Sequence, residues 1–451
     1  MTNKYTEHHI DFRQEIANPL FQIIRGGESG VICGVATLGK SRFLQFLLRQ
    51  DIHHHYLQED ASNTLFVWAD SNRAREISEW ALYELLLTAL VEVASELPQA
   101  HGERNRLLAL RREAIIEQNG LLAQRNFEFA TRILCHEQKL KLVFILDEFD
   151  EFYQKLSRQT LANLRAVRDA NKYSVCYILF MRDHPIALRQ PDESLEGFYE
   201  LISRSILYLK PYTEIDTREA IRLISARRNL STDLLYKNAE DEIVRLSGGH
   251  PGLIAALLNA LITSKPKDES LETWATNQEN VHEEFRKIWQ GLRPDEQQTL
   301  VHLAQRMTTK VRNRKSLELK GMIQVSGREI QFFTPLFPHY ILNQATLDDE
   351  ALRVDAEAGI VWVNGRQSEQ LTSKEFDLML LLHESLNEIR THQQILDGLY
   401  PGDEGYGINE NAIAALVGRV RKKIEPNAKR PRYLLNIKGR GYKLVDRPES
   451  G

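Results

Sequence analysis

Three cysteines in 451 residues are too few, and Cys33, Cys135 and Cys176 too widely spaced, for a disulfide framework or a zinc site. Each sits inside an apolar run and is expected to be a small buried residue. No uninterrupted run of about 18 uncharged apolar residues occurs, which excludes a helical membrane span. Met1 to Arg13 is polar and lacks an apolar core, so no secretion signal is read and the chain is expected to be cytoplasmic, with no membrane partner. The 24 glycines and 14 prolines fall well short of a low-complexity or fibrous composition. An excess of one charge is also missing. With 58 basic and 62 acidic residues the net charge is −4, which argues against a protein that coats nucleic acid by bulk charge.

What is present is an ordinary globular mixture, 42% hydrophobic and 27% charged, long enough for about three domains. The charge is unevenly placed. Glu350 to Gly418 holds 4 basic and 12 acidic residues, a net of −8, whereas Arg419 to Gly451 holds 11 and 3, a net of +8. Basic character therefore gathers at the C-terminal end.

Apolar runs of strand length at Gly30–Gly34, Thr64–Asp70, Lys141–Asp147, Ser174–Met181 and Ser205–Leu209 alternate with helical patterns. That alternation predicts a parallel sheet with helices on both faces. Residues 74–136 show helical periodicity only and are expected to form a helical insertion between two strands. After Pro211 an Asp216/Glu219 capping box and a purely helical pattern predict a lid over 211–264, broken at Ser247-Gly248-Gly249-His250-Pro251-Gly252. Helices near 285–290 and 295–305, then short strands at 322–325 and 329–333, predict a first winged helix over 280–345. A second, over 350–447, has helices 373–385, 392–400 and 411–424 and a closing hairpin, 433–444. The remaining divisions are an N-terminal extension, 1–17, and an ATPase domain, 18–210.

Gly34-Val35-Ala36-Thr37-Leu38-Gly39-Lys40-Ser41 fits G-x-x-x-x-G-K-[ST], follows an apolar strand and runs into a helical pattern at Arg42. In such a loop backbone N–H groups converge on phosphate oxygens, Lys40 reaches the β/γ-phosphates and the Ser41 hydroxyl takes Mg²⁺. Leu142 to Leu146 is a strand ending in Asp147 and Glu148, which places Asp147 to hold the Mg²⁺ shell and Glu148 to polarise an attacking water. Val175–Met181 ends in Arg182, read either as a γ-phosphate sensor or as a surface salt-bridge arginine. ATP/ADP and Mg²⁺ are the expected ligands. The run His53-His54-His55 lacks partner spacing for a metal and is expected to be a solvated loop.

With these motifs in place, residues 18–340 resemble the STAND and AAA+ P-loop ATPases, in the branch related to origin-recognition ATPases. The resemblance implies a nucleotide site completed by Gly249-His250-Pro251 in a lid turn, with His250 or Pro251 near the base or phosphates. It also implies a segment around Phe21 against the adenine, and Arg204 at the arginine-finger position that acts on a neighbouring subunit. Gly34, Thr37, Gly39 and Arg42 complete the expected nucleotide contacts.

The C-terminal hundred residues resemble the DNA-binding domain of OmpR/PhoB response regulators. Leu371 to Leu378 matches that family's first-helix entry, with Thr372 and Glu375 as its capping box. Ile413, Val417, Val420 and Ile424 give the third helix an inward face, leaving Asn411, Ala414, Gly418, Arg419, Arg421 and Lys422 outward. Tyr433–Leu444 matches the wing, with Asn436, Lys438 and Arg440 as DNA contacts. Two departures stand out. Ala414, Ala415, Leu416 and Gly418 leave few side chains to read bases, and an ATPase occupies the place of the usual phospho-receiver.

The leading expectation is a slow, Mg²⁺-dependent ATPase that acts as a switch and a DNA-binding transcriptional regulator, its nucleotide state controlling oligomerisation or DNA engagement. Double-stranded DNA, a second copy of the chain, and RNA polymerase or a signal protein are its expected partners. Two alternatives stay open: a defence or signalling ATPase whose C-terminal domain docks protein, and an origin- or transposition-type DNA remodeller. The five basic residues between Lys310 and Lys320 are read either as a second DNA contact or as a solvated face.

Overall fold

The structure, a computed structural model, describes residues 8–96, 101–189, 196–228, 239–264, 269–305, 314–327, 329–349, 352–356, 359–363, 366–400, 410–425 and 427–446. It divides into two compact units, 1–338 and 339–451.

The first unit is built on a five-stranded sheet of β1 (Gly30–Cys33), β2 (Thr64–Asp70), β3 (Lys141–Asp147), β4 (Val175–Met181) and β5 (Ile206–Tyr208). All pairs are parallel and the order is β2-β3-β4-β1-β5. Every residue of β1 and β4 is buried, so helices must cover both faces. This is why the strands read as continuous apolar runs rather than as alternating ones. The strands fall where the sequence pattern puts them, shortened at β1, β4 and β5 by one or two residues at the ends.

Helices Glu79–Glu96, Arg104–Glu117 and Gly120–Arg132 form the insertion between β2 and β3. Trp80 Nε1 donates to the Ala114 carbonyl at 2.7 Å, tying the first of them to the second. The segment read as an extension carries a helix, Gln14–Arg25, that runs through the boundary expected at residue 18. Helix Glu214–Arg227 opens the segment expected to be a lid, and its cap differs from the expected one. Thr213 caps it by accepting from the Asp216 N–H, while Asp216 is buried and accepts from the Arg13 N–H at 3.3 Å. The histidine run is helical, not a loop. Within helix Gln50–Leu57, His53 stacks on Phe66 with ring centroids 3.9 Å apart, and burial holds its pKa below the ordinary value. The cysteines are all buried and unpaired, and burial pushes the Cys176 thiol up to about 12.

Helices Glu279–Gln290, Pro294–Ala304 and Arg314–Leu319 lead into the hairpin β6 (Ile323–Ser326) and β7 (Glu329–Phe332), in the order of a winged helix. Lys310 and Arg312 lie outside the described residues. Helix Phe337–Asp349 spans the division between the units.

The second unit opens with the sheet β8 (Leu352–Asp355), β9 (Ile360–Val363) and β10 (Arg366–Gln367). Helices Ser373–His383, His392–Leu399 and Glu410–Ile424 follow, and β11 (Ile389–Arg390), β12 (Leu434–Ile437) and β13 (Gly441–Leu444) make a second sheet. Leu378, Leu382, Ile395, Val417, Tyr433 and Leu444 lie in one buried cluster. Both halves of the Thr372/Glu375 capping box form.

Candidate functional site

β1 lies between β4 and β5, and the loop that leaves it is pinned at once by Gly34 N–H donating to the Met181 carbonyl at 3.0 Å. Thr37 at φ 63° and Gly39 at φ 83° bend the chain back so that Lys40 opens the helix Lys40–Leu47. The space over Gly39 is tight: a Cβ would stand 3.0 Å from Tyr212 Oη and 3.4 Å from Pro251 Cγ. The loop is thus overlaid by the lid turn. Lys40 is 8% exposed, and its ammonium lies 3.0 Å from Glu148 Oε1. Ser41 is exposed on the first turn of the helix.

Asp147 ends β3, and Glu148 follows at φ 49°, donating its N–H to Asp147 Oδ1 at 3.0 Å. A positive φ on a glutamate costs roughly 1 kcal/mol or more and is sustained only where surrounding contacts over-determine it. Here they do. Glu148 holds Lys40 on one oxygen and Arg182 on the other, with Nη2 at 2.9 Å and Nε at 3.0 Å. The Arg182 backbone N–H meets Asp150 Oδ1 at 2.8 Å. Burial opposes ionisation of Glu148, but Lys40 and then Arg182 outweigh it and hold the carboxyl below its ordinary range. Asp147 goes the other way, raised by burial and by the neighbouring Glu148 charge. Asp150 is also raised by burial, and its Oδ2 is buried with no hydrogen-bond partner. Of the two readings of Arg182, the structure shows a salt bridge, and it is made within the motif cluster.

The lid turn needs both of its glycines. Gly248 and Gly249 have φ of 53° and 76°, and Cβ atoms there would fall 1.8 Å from the Phe333 carbonyl oxygen and 2.2 Å from that of Tyr212. His250 is fully buried, with Nε2 3.5 Å from Thr37 Oγ1 and Nδ1 4.0 Å from Glu284 Oε1. Burial, with Arg13 nearby, pushes its pKa down to about 3, so the imidazole is neutral. Pro251 opens helix Pro251–Thr263 above Gly39.

Sequence reasoning passed over Arg13. It is fully buried, donates Nη2 to the Leu38 carbonyl at 2.6 Å and Nη1 to the Lys210 carbonyl at 2.8 Å, and its Cζ lies 4.4 Å from the Tyr212 ring centroid. An arginine just ahead of an amphipathic helix reads as solvated, and nothing local signals otherwise. Phe21 is a core residue, 2% exposed and stacked on Tyr56 at 4.3 Å. The N-terminal residue that reaches the loop is Arg13. Arg204 precedes β5, whose Ile206 aligns with Val31, so it lies at the sheet end opposite the loop. It is 72% exposed and paired with Glu200 Oε1 at 2.6 Å.

In the second unit Ile413, Val417, Val420 and Ile424 face inward as expected, and so does Leu416, which is 3% exposed. Asn411, Ala414, Ala415, Arg419 and Lys422 are exposed. Arg421 is not directed outward in the expected way. Its Nε and Nη2 both donate to the Leu434 carbonyl, at 2.9 and 2.7 Å, fastening the helix to the wing strand. Glu425 completes the joint by accepting from the N–H groups of Arg432, Tyr433 and Leu434. Lys423 is taken by Glu375 at 2.6 Å, and Arg419 Nε lies 3.5 Å from the same carboxylate. The wing tip Lys438-Gly439-Arg440 and Asn436 are exposed, with Gly439 at φ 72°.

A parallel sheet in this order, a glycine-containing loop after its β1 strand and an Asp-Glu pair at the tip of β3 define a P-loop fold. The C-terminal unit has winged-helix form. Residues 366–444 match the family described as Transcriptional regulatory protein, C terminal. Over 103 residues the chain is 32% identical to the sensory transduction protein RegX3 of Mycobacterium bovis and 33% identical to that of Mycobacterium leprae. These alignments take 23% of this chain and 44% and 50% of those proteins, so the chain spans about half the length of the curated relatives it matches. Among solved structures, the Aeropyrum pernix ORC2 protein aligns over 76% of this chain and 97% of its own, at 14% identity and a TM-score of 0.43. The Walker-type ATPase of Pyrococcus abyssi aligns over 73% and 95%, at 13% and 0.42. The Klebsiella pneumoniae RstA DNA-binding domain in complex with the RstA box aligns over 21% and 92%, at 22% and 0.19. Among the described residues no helix is long and apolar enough to cross a membrane.

Proposed function

We propose that this chain is a cytoplasmic, ATP-dependent switch that binds double-stranded DNA through its C-terminal unit and regulates transcription. The observation that carries the reading is the cluster Lys40–Glu148–Arg182, which joins the phosphate loop, the β3 tip and the β4 tip in one set of ion pairs. The residues fit a nucleotide with Mg²⁺. The loop is a cradle that a Cβ at Gly39 would fill, the Lys40 ammonium is buried, and Asp150 Oδ2 is a buried acceptor with no hydrogen-bond partner. Ser41 and Asp147 are the residues that would hold the ion, with phosphate oxygens and water completing its shell. Bound there, Mg²⁺ supplies charge neutralisation at the phosphates.

With nucleotide bound, Lys40 would leave Glu148 Oε1 for phosphate oxygens, and that carboxylate oxygen would orient water and accept its proton. Arg182, held on the other Glu148 oxygen, would stay beside the carboxylate and is the group placed to sense the γ-phosphate. His250, neutral and buried, keeps the lid turn against Thr37. Arg13 clamps loop and lid linker together. Arg204 is available to a second copy of the chain, which makes ATP-driven self-association part of the proposal. The divisions at 18–210, 211–264, 280–345 and 350–447 remain its domain scheme.

Titration of a fluorescent ATP analogue tests the site. Lys40→Ala is expected to weaken binding about 100-fold or more, since a charge-assisted contact is worth roughly 3 kcal/mol in such a setting. Glu148→Gln is expected to bind normally and to slow hydrolysis by about 100-fold. Wild-type affinity in the lysine variant ends the nucleotide reading. The exposed Ala414 and Ala415 favour one rival, a C-terminal unit that docks protein, and loss of all DNA affinity at about 50 mM salt would decide for it.

A further inference from the structure

Three consecutive residues at the end of β4 each hold a different part of the first unit. Met181 accepts from Gly34 at the start of the phosphate loop. Arg182 bonds Asp150 through its backbone and Glu148 through its guanidinium. Asp183 takes the ammonium of Lys320, the residue that follows helix Arg314–Leu319 in the first winged-helix segment. Lys320 is 2% exposed, and its second acceptor is Glu296 Oε2 at 2.8 Å. Glu296 is fully buried and is held in turn by Ser316 Oγ at 2.6 Å and the Arg293 N–H at 3.0 Å. The next residue, Gly321, has φ 70° and no space for a Cβ, which would lie 2.5 Å from Pro211 Cδ in the turn between β5 and the lid.

A DNA-contacting lysine must keep its ammonium in water, so Lys320 is not part of a second DNA surface. A lysine enclosed by two carboxylates gains little stability over an apolar packing of the same volume, because desolvation consumes the attraction. What the arrangement does secure is geometry. Arg182 and Asp183 are neighbours about 3.8 Å apart along the chain, so a shift of the Arg182 backbone carries Asp183 with it. A buried ion pair resists separation, and Lys320 must follow.

We propose that Lys320 is a positioning residue: by fixing Asp183 it fixes the reach of the Arg182 guanidinium, and through the same bond the segment from Arg314 to Phe332 follows the state of the nucleotide site. This rests on the switch reading above and adds its transmission element. The Lys320–Asp183 pair is the joint between the sensing strand and the first winged helix. It is a place where occupancy at the phosphates becomes movement of a domain.

Hydrogen exchange of the full chain, followed on peptides covering residues 314–326, tests the joint with no nucleotide, with ADP and with a non-hydrolysable ATP analogue. Asp183→Asn keeps the shape and removes the charge. The double variant Lys320→Met, Asp183→Asn removes the pair without leaving either charge buried alone, since Glu296 retains Ser316 and Arg293, and it serves if the single variant folds poorly. In the wild type, exchange in this segment is expected to differ about tenfold between ADP and the analogue. In the variants that difference is expected to fall within about twofold while nucleotide Kd changes less than about threefold and hydrolysis slows about tenfold. Variants that keep the wild-type difference overturn the proposal. So does a wild type that binds nucleotide and shows no difference. A wild type that binds no nucleotide fails at the earlier step, and the reading of the site falls before the joint is reached.

Discussion

Arg13 illustrates how one side chain can tie together segments that are distant in sequence. Its guanidinium reaches the Leu38 carbonyl in the loop after β1 and the Lys210 carbonyl ahead of helix Glu214–Arg227, and the planar fork is what lets it serve both. Arg13→Lys is therefore expected to behave as a loss, since one ammonium on a shorter stem cannot span the two carbonyls. Nucleotide affinity should fall about tenfold, and unfolding of the first unit should become easier by about 2 kcal/mol, read by ligand titration and denaturant melting. Glu375 offers a test by pH. It is 1% exposed, and although burial raises its pKa, bonds from Lys423 and the Thr372 N–H win and hold it below the usual glutamate value. Because its folded pKa lies below its unfolded one, its contribution is present above the ordinary value and lost as pH falls through the folded one. Glu375→Gln should thus destabilise the second unit by about 1–3 kcal/mol near pH 7, and the gap between variant and wild type should close toward pH 3. A gap independent of pH would show that the charge is not what matters there.

At the scale of elements, the third helix of the second unit and the wing act as one piece because Arg421 and Glu425 lock Leu434 to the helix end. Arg421→Ala is expected to loosen the wing and weaken DNA binding without changing its salt slope, whereas Lys438→Ala should flatten the slope by about one unit. Salt titrations of the two variants separate positioning from phosphate contact. The elements themselves were legible. Parallel strands buried on both faces read as apolar runs, and the four residues spaced around the helix face predicted which side is inward. The loop after β1 and the acidic pair at the β3 tip lie where the sequence pattern puts them, since such motifs need fixed residue types at fixed spacing. What escaped depends on contacts between segments far apart in sequence. Thr213, not Asp216, caps the lid because Asp216 is claimed by the Arg13 backbone. Arg421 looked outward by periodicity, yet an unpaired carbonyl on β12 lies within its reach. Phe21, placed against adenine by the resemblance, and Lys320, read either as a DNA contact or as part of a solvated face, are both buried, one stacked on Tyr56 and the other between two carboxylates.

For the whole molecule, the net charge of −4 gives no bulk attraction to DNA, so the proposal rests its affinity on the basic C-terminal end, where charges already engaged inside the fold contribute little. With Arg421 and Lys423 engaged internally, the exposed cations on helix and wing are Arg419, Lys422, Lys438 and Arg440. Four neutralised phosphates give log K against log[salt] a slope of roughly −3 to −4 on duplex DNA. A slope of about −8 or steeper would require a basic surface beyond this one. The exposed face of the helix carries few groups suited to reading bases; the proposed one, Asn411, would contact adenine in a bidentate way worth on the order of 1–3 kcal/mol, so specificity over random DNA should be modest for a single copy. Two copies sharing a site multiply that modest discrimination through effective concentration, and a nucleotide switch that assembles copies would raise specificity more than it raises single-copy affinity. The expected outcome in mobility-shift titrations is therefore a response to the ATP analogue that is larger on a specific site than on random DNA. It should be absent in Lys40→Ala, and should weaken in Arg204→Ala if that residue acts across the copies. An equal response on all DNA would instead assign the nucleotide effect to exposure of the basic surface, with assembly playing no part.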